Sequence, residues 1–149
     1  GGSYGGFMTN WLIGHTNIFR AAVTMRSVVN MLSFISTDFG YTLGREFKGH
    51  WHEKNNLRFY WNMSPLKYAR NMKTPLLILH SEQDHRCPIS QAEELYITLK
   101  TLKRDVEMVR FPGESHELSR HGAPRRREKR LYFIREFLNR HLRGIRTKI

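Results

Sequence analysis

The first five residues of the chain, Gly-Gly-Ser-Tyr-Gly, match the pattern G-x-S-x-G. This spacing is typical of a sharp turn between a strand and a helix that holds a serine in a strained backbone conformation. Glycines at Gly1 and Gly5 remove the side chains that would collide with the turning backbone. The pattern therefore predicts that Ser3 occupies such a turn. A flexible, glycine-rich end of the chain is the alternative.

Two apolar segments downstream predict strands of a buried parallel sheet. Residues 75–80 read Pro-Leu-Leu-Ile-Leu-His, and residues 106–111 form a second short strand-like segment. Asp84 follows the first segment, and His116 follows the second. Because open parallel sheets place their chemistry at the carboxyl ends of the strands, we expect Ser3, Asp84 and His116 to meet at one edge of the sheet.

These three residue types suit nucleophilic catalysis. The hydroxyl of Ser3 is a poor nucleophile until a base removes its proton, and His116 suits that role because imidazole titrates near neutrality. Asp84 would fix the tautomer of His116 and stabilise its charged form. Taken singly, Asp84 also fits a turn former, and His116 a solvated loop histidine. The order serine, acid, histidine is that of α/β-hydrolases and favours a catalytic triad.

The remaining patterns predict helices around the sheet. Residues 7–14 are typical of a helix after the turn, residues 21–25 of a third strand, and residues 32–63 of short helices and loops over the site. Ser90-Gln91-Ala92-Glu93 matches a capping box that opens a helix, and a last helix is expected over residues 124–142. The apolar stripe expected on this last helix consists of Leu131, Ile134 and Leu138, with Phe137 beside it. Alternating strands and helices predict an α/β fold with a parallel sheet flanked by helices.

Several segments resemble the catalytic domain of the prolyl oligopeptidase family, in particular its acylaminoacyl peptidase branch. The resemblance is carried by residues 1–6, 79–88 and 113–117, with further similarity at residues 21–30 and 64–66. It implies a serine peptidase that hydrolyses short or N-acylated peptides through an acyl-enzyme, with related esterase activity and no cofactor. A carboxylesterase with the same triad is the alternative.

The resemblance also implies roles for single residues. Ser3 would be the nucleophile, Asp84 the orienting acid and His116 the base. The backbone N–H of Tyr4, which follows the nucleophile, would be one donor to the oxyanion.

A second group of residues is expected to bind substrate. Arg86 matches a family arginine that binds a substrate carbonyl, although a surface arginine in a loop is the plainer interpretation. Val29, Phe34 and Phe39 fall in the region that lines the family's specificity pocket, and apolar residues there also fit an ordinary core.

The resemblance implies that residues 1–149 are the C-terminal half of an α/β-hydrolase domain, without the N-terminal strands, the oxyanion loop that supplies a second donor, or a β-propeller. Loss of one oxyanion donor typically costs a factor of about 10²–10³ in turnover, so the isolated chain is expected to be a weak catalyst. We expect a partner chain that carries the N-terminal half, or self-association. A non-catalytic fragment that acts only in subunit association is a further alternative.

The chain is strongly basic, with a formal net charge of +12 and a basic run at Arg125-Arg126-Arg127. No nucleic-acid-binding motif accompanies this run, and no aromatic residue is interleaved in it, so a solvated helix face is the expected role. Neither a nucleic acid nor a membrane is expected as a partner. No apolar run reaches the roughly 18 residues that span a bilayer, and a cytoplasmic location is expected.

Cysteine and histidine usage gives no sign of a disulfide or a metal site. Cys87 is the single cysteine, so no intrachain disulfide can form, and it fits a packed small residue better than a second nucleophile. His50 and His52 precede Glu53, but no further ligand cluster accompanies them. We expect no metal.

Overall fold

The computed structural model describes residues 1–35, 37–47 and 49–142. Three parallel strands form its sheet in the spatial order β1-β2-β3. They are β1 (Ala22–Met25), β2 (Leu76–Ser81) and β3 (Val106–Phe111). The strands expected at residues 21–25, 75–80 and 106–111 are thereby confirmed to within one residue at each end.

Helices flank the sheet and connect its strands. They are α1 (Tyr4–His15), α2 (Met31–Phe34), α3 (Asp38–Glu46), α4 (Asn56–Met63), a 3-10 helix (Pro65–Asn71), α5 (Ile89–Thr101), α6 (Leu118–His121) and α7 (Pro124–Leu142). The short helices expected over residues 32–63 are α2, α3 and α4, although residues 36 and 48 lie outside the described residues. The α/β class and the parallel sheet are confirmed.

β2 is the central strand and all of its residues are buried. Successive side chains of a strand point to opposite faces, so β2 contributes to two separate clusters. Leu76 and Ile78 pack with residues of α1, the 3-10 helix and α5. Leu77 and Leu79 pack with residues of α6 and α7. The sheet therefore lies between two layers of helices, as the wholly apolar sequence of β2 predicts.

Helix α5 begins two residues earlier than the capping-box pattern predicts, at Ile89 and not at Gln91. It starts at Ile89 after Pro88, so Ser90 lies inside the first turn and the capping box does not form. The carboxylate of Glu93 pairs instead with Arg110 of β3. The apolar face expected on this helix is confirmed, with Ala92, Leu95 and Leu99 buried and Leu102 packed against the same cluster.

Helix α7 has the expected bounds, but its buried face is centred elsewhere. Phe137 is fully buried, and Ile134 and Leu138 pack beside it on the sheet. Leu131 is 57% exposed, so its place in the expected stripe is wrong. Phe133 takes part in the contact instead. The sequence periodicity is compatible with either face, and the sheet selects the face that carries Phe137.

Helix α1 lies very close to the end of β1, and glycine permits this approach. A Cβ at Gly6 would lie 2.6 Å from Cβ of Ser27 and 2.7 Å from the carbonyl oxygen of Met25. At Gly5, the preceding residue of the same helix, a Cβ would meet nothing within 4 Å.

We predict opposite effects for alanine at these two positions. Gly6→Ala should lower the free energy of unfolding by about 1–3 kcal/mol, because the overpacked atoms belong to backbone and Cβ. Gly5→Ala should leave the free energy of unfolding unchanged or raise it by up to about 1 kcal/mol, because alanine has a higher helix propensity than glycine. Urea unfolding of both variants measures the difference. Equal destabilisation by both would contradict the close packing of α1.

Candidate active site

Ser3 lies on a strained turn between an extended segment and α1. Its φ of 58° and ψ of −122° are unusual for a residue other than glycine, and such conformations cost on the order of 1–3 kcal/mol. Gly2 pairs in parallel with Met25 of β1, and the N–H of Ser3 donates to the carbonyl of Met25 at 3.0 Å. The N–H of Gly5 closes the turn by donating to the carbonyl of Gly2 at 2.9 Å. The turn predicted from G-x-S-x-G is therefore confirmed.

The two glycines of the motif do not share one role. A Cβ at Gly1 would lie 2.5 Å from the carbonyl oxygen of Gly5, so the turn requires glycine at Gly1. The expectation that Gly5 relieves the same collision is wrong, because space around its Cα is open. At Gly2 a Cβ would approach the guanidinium of Arg26 to 3.2 Å.

The structure brings Ser3, Asp84 and His116 together. Nε2 of His116 lies 3.1 Å from Oγ of Ser3, and Nδ1 of His116 lies 2.8 Å from Oδ2 of Asp84. The carboxylate can only accept, so Nδ1 carries the proton and Nε2 faces Ser3 with its lone pair. The imidazole is thus held in the tautomer that a general base requires.

Asp84 also organises its own loop. Oδ1 accepts the backbone N–H groups of Arg86 at 3.1 Å and Cys87 at 2.8 Å, while Oδ2 serves His116. The side chain is fully buried. The carboxylate is therefore oriented by the backbone that follows β2, and this loop sets the direction of the imidazole.

His80, near the end of β2, stabilises the same loop through a hydrogen bond. Its Nε2–H donates to the carbonyl of Cys87 at 2.7 Å, and its buried Nδ1 has no hydrogen-bond partner in the part of the chain that the structure describes. Burial lowers the pKa of His80, more strongly than the hydrogen bond to Cys87 and the charge of Asp84 raise it. The ring is therefore neutral at pH 7.

A cavity of about 490 Å³ lies beside Ser3. Phe34, Phe39 and Arg86, three of the four residues proposed from the sequence to bind substrate, line it. Val29 does not: it is fully buried in the core between α1 and α5, and its neighbour Val28 lines the cavity instead. The remaining lining residues are Tyr4, Phe7, Met31, Leu43, Glu46, Phe47, Met63 and Cys87. The cavity is thus mainly apolar, with Glu46 and Arg86 as its charged residues.

Two further residues, Arg26 and Cys87, lie beside the group of Ser3, Asp84 and His116. The guanidinium of Arg26 donates through Nη1 to the carbonyl of His116 at 3.1 Å and to Oγ of Ser119 at 2.7 Å. Cys87 is buried between Asp84 and Ser3, and burial, followed by the charge of Asp84, raises its pKa to about 12. Its thiol is therefore protonated at neutral pH, which agrees with the interpretation of Cys87 as a packed residue.

Tyr4 is the first residue of α1, so its backbone N–H lies in the first turn, where no intrahelical acceptor is available. The tyrosine ring lines the cavity and stacks on Phe7 at 5.9 Å between centroids. The backbone N–H of Tyr4 is therefore a candidate donor to a ligand bound beside Ser3.

Other candidate features show no ligand cluster. In the part of the chain that the structure describes, no group of three or more His, Cys, Asp or Glu side chains could hold a metal ion. Glu53 accepts the backbone N–H of His50. None of the helices within residues 1–35, 37–47 and 49–142 has the length and apolar character for a membrane crossing.

The sequence matches the profile of the prolyl oligopeptidase family over residues 1–144. The chain belongs to the prolyl oligopeptidase family. A Bacillus subtilis relative named "uncharacterized peptidase YuxL" is 52% identical over 147 residues, which are 95% of this chain and 22% of the relative.

Solved structures of the family agree with the fold. The acylaminoacyl peptidase of Pyrococcus horikoshii superposes with a TM-score of 0.87 at 35% identity and covers 99% of this chain. An acylaminoacyl peptidase in complex with Z-Gly-Gly-Phe-chloromethyl ketone gives the same TM-score of 0.87. The chain spans 24% of the Pyrococcus enzyme.

We predict that His80 makes the stability of this family member fall in mild acid. Its pKa is lowered on folding, so the unfolded chain binds more protons, and stability that is complete above the unfolded pKa of about 6.5 is lost as the pH falls below it. The slope from this group is at most about 1.4 kcal/mol per pH unit.

Urea unfolding between pH 8 and pH 5 measures this effect. In His80→Gln the amide can still donate to the carbonyl of Cys87 but takes up no proton, so its stability should depend less on pH. All other titratable groups are the same in the two proteins, so the comparison isolates the contribution of His80. An unchanged slope in the variant would contradict the assignment.

Proposed function

We propose that this chain carries the catalytic centre of a serine peptidase that hydrolyses short or N-acylated peptides. The observation that carries the proposal is the hydrogen-bonded sequence Ser3 Oγ, His116 Nε2, His116 Nδ1, Asp84 Oδ2, with contacts of 3.1 Å and 2.8 Å. The residue order, the strained turn at Ser3 and membership of the prolyl oligopeptidase family support it.

In this proposal His116 accepts the proton of Ser3 as Oγ attacks the carbonyl carbon of the scissile bond. Asp84 stabilises the imidazolium that forms. The protonated Nε2 then donates to the leaving amine, and an ester between Ser3 and the acyl part of the substrate remains. A water molecule, deprotonated by the same nitrogen, hydrolyses that ester and restores the hydroxyl.

The developing oxyanion needs donors near Ser3. The backbone N–H of Tyr4 is our candidate, because it follows the nucleophile and begins α1, where the helix dipole also favours negative charge. We infer that a second donor comes from a part of the protein outside residues 1–149. One missing donor typically reduces turnover by a factor of about 10²–10³.

The substrate class rests on the cavity and on the relatives. A cavity of about 490 Å³ with mainly apolar walls suits one bulky apolar side chain next to the scissile bond. We propose that Phe34 and Phe39 contact that side chain and that Arg86, which lines the same cavity, binds a substrate carbonyl. Acylaminoacyl peptidases share the fold of this chain at 35% identity.

The extent of the domain is also part of the proposal. Residues 1–149 would be the C-terminal part of an α/β-hydrolase domain, completed by an N-terminal half or by self-association. The small share of its relatives that the chain spans, 22% of the Bacillus protein, supports this reading. A cytoplasmic location stays a prediction from the sequence.

The first test is labelling by a fluorophosphonate probe in the full-length protein. We expect one label at Ser3, and loss of that label in Ser3→Ala. His116→Ala should slow labelling by a factor of about 10²–10⁴, because the base is lost. Ser90→Ala, the same substitution on the exposed side of α5, is the matched control and should label like the unchanged protein.

Labelling that persists in Ser3→Ala would contradict the assignment of the nucleophile. Absence of labelling in the folded full-length protein would favour the alternative of a non-catalytic chain that acts only in subunit association.

Parallel assays separate a peptidase from a carboxylesterase, since both use the same triad. We expect hydrolysis of an N-acetyl-phenylalanine amide as well as of the corresponding ester, with Ser3→Ala inactive on both. Amide hydrolysis needs protonation of a poor leaving group, which His116 supplies. Ester hydrolysis alone, with no turnover of the amide or of acetylated dipeptides, would identify a carboxylesterase.

A further inference from the structure

A second cavity, of about 160 Å³, lies on the α7 face of the sheet. The two cavities share no lining residue, although His116 of the triad lines the smaller one. Its polar lining residues are Arg26, Ser81, His116, Ser119 and Arg130, and Met25, Leu79 and Leu118 form its apolar walls.

Among the described residues, no carboxylate lies within ion-pair distance of either arginine of this cavity, although the charge of Glu117 interacts with that of Arg26 at longer range. Nε of Arg26 and Nε of Arg130 are both buried, and neither has a hydrogen-bond acceptor within residues 1–35, 37–47 and 49–142. Nη1 of Arg130 contacts Sδ of Met25 at 3.5 Å, and a thioether is a weak acceptor. Two like-charged guanidinium groups that line one cavity without a carboxylate paired to either of them require an explanation, because buried polar and charged groups are normally paired.

The charges of the two side chains make the absence of a partner costly. Burial and the neighbouring charge of Arg26 lower the pKa of Arg130. A guanidinium does not lose its proton at neutral pH, so this cavity holds two partly desolvated positive charges. Repulsion of this kind is relieved when an anion lies between the two groups.

We propose that Arg26 and Arg130 form a binding site for an oxyanion, a carboxylate or a phosphate group. The volume equals that of about five water molecules at about 30 Å³ each, which leaves room for such a group. Guanidinium groups bind these anions through paired N–H donors. The hydroxyls of Ser81 and Ser119 line the same space and are further donors.

The site is connected to the catalytic loop through Arg26. The same guanidinium that faces the cavity donates to the carbonyl of His116 and to Oγ of Ser119. A bound oxyanion therefore restricts the Arg26 side chain, which donates a hydrogen bond to the backbone of His116.

A free anion and an acidic side chain from elsewhere in the full-length protein share this chemistry. The test is thermal unfolding of the full-length protein in increasing potassium phosphate, at constant ionic strength adjusted with chloride. The variants are Arg130→Met, which keeps an unbranched stem without the charge, and Arg130→Lys, which keeps the charge. Arg125→Met, on the exposed side of the same helix, is the matched control. The readout does not depend on catalytic activity, so it is independent of the proposed function.

For a free anion, phosphate should raise the Tm of the unchanged protein and of Arg125→Met by about 2–8 °C and leave Arg130→Met unaffected. For a carboxylate of the polypeptide, phosphate should have no effect, and Arg130→Met should lower the Tm while Arg130→Lys retains part of it.

The opposite sign would overturn the proposal. If the cavity holds no anion, removal of one of two repelling charges should raise the Tm or leave it unchanged in Arg130→Met. Equal losses in Arg130→Met and Arg130→Lys, without a response to phosphate, would show a packing role alone. An equal phosphate response in Arg130→Met would show nonspecific binding. Each of these results contradicts the site.

Discussion

The parallel pairing of β2 with both β1 and β3 determines where every chemistry-bearing loop begins. The carboxyl ends of the three strands face one edge of the sheet, so the loops of Asp84 and His116 start side by side there. Gly2, just before the turn at Ser3, pairs in parallel with Met25 at the end of β1, which brings this turn to the same edge. Ser3 and His116 are 113 positions apart in sequence, yet their side chains lie within hydrogen-bonding distance. The burial of β2 on both faces holds this arrangement together.

Much of the site could be predicted because its residues follow strong local signals. Asp84 and His116 each come a few residues after a short apolar strand, and Ser3 lies in a glycine pattern that few other structures require. These signals depend on neighbours in sequence, so one chain was enough to detect them. The same holds for helix α7, whose bounds follow from its composition and from Pro124 at its start.

The remaining features depend on contacts between distant segments. Val28 lines the cavity and Val29 the core because the backbone after β1 is irregular, and no periodicity distinguishes two adjacent valines there. The contact of Arg26 with the loop of His116 spans 90 positions and leaves no pattern in the sequence. The capping box does not form because α5 begins at Ile89, which places Ser90 inside the first turn, and Glu93 pairs with a cation on another element. Tertiary context decides each of these positions.

The double duty of Asp84 has a consequence for how descendants of such a chain would diverge. One carboxylate oxygen accepts hydrogen bonds from two backbone N–H groups of the loop after β2 and so stabilises that loop. The other oxygen accepts from His116. The aspartate would therefore be retained by folding alone after any loss of chemistry. Ser3 does not stabilise the fold in this way, because its strained backbone conformation lowers the free energy of unfolding. An intact serine at the turn is thus a better marker of a working enzyme lineage than an intact acid.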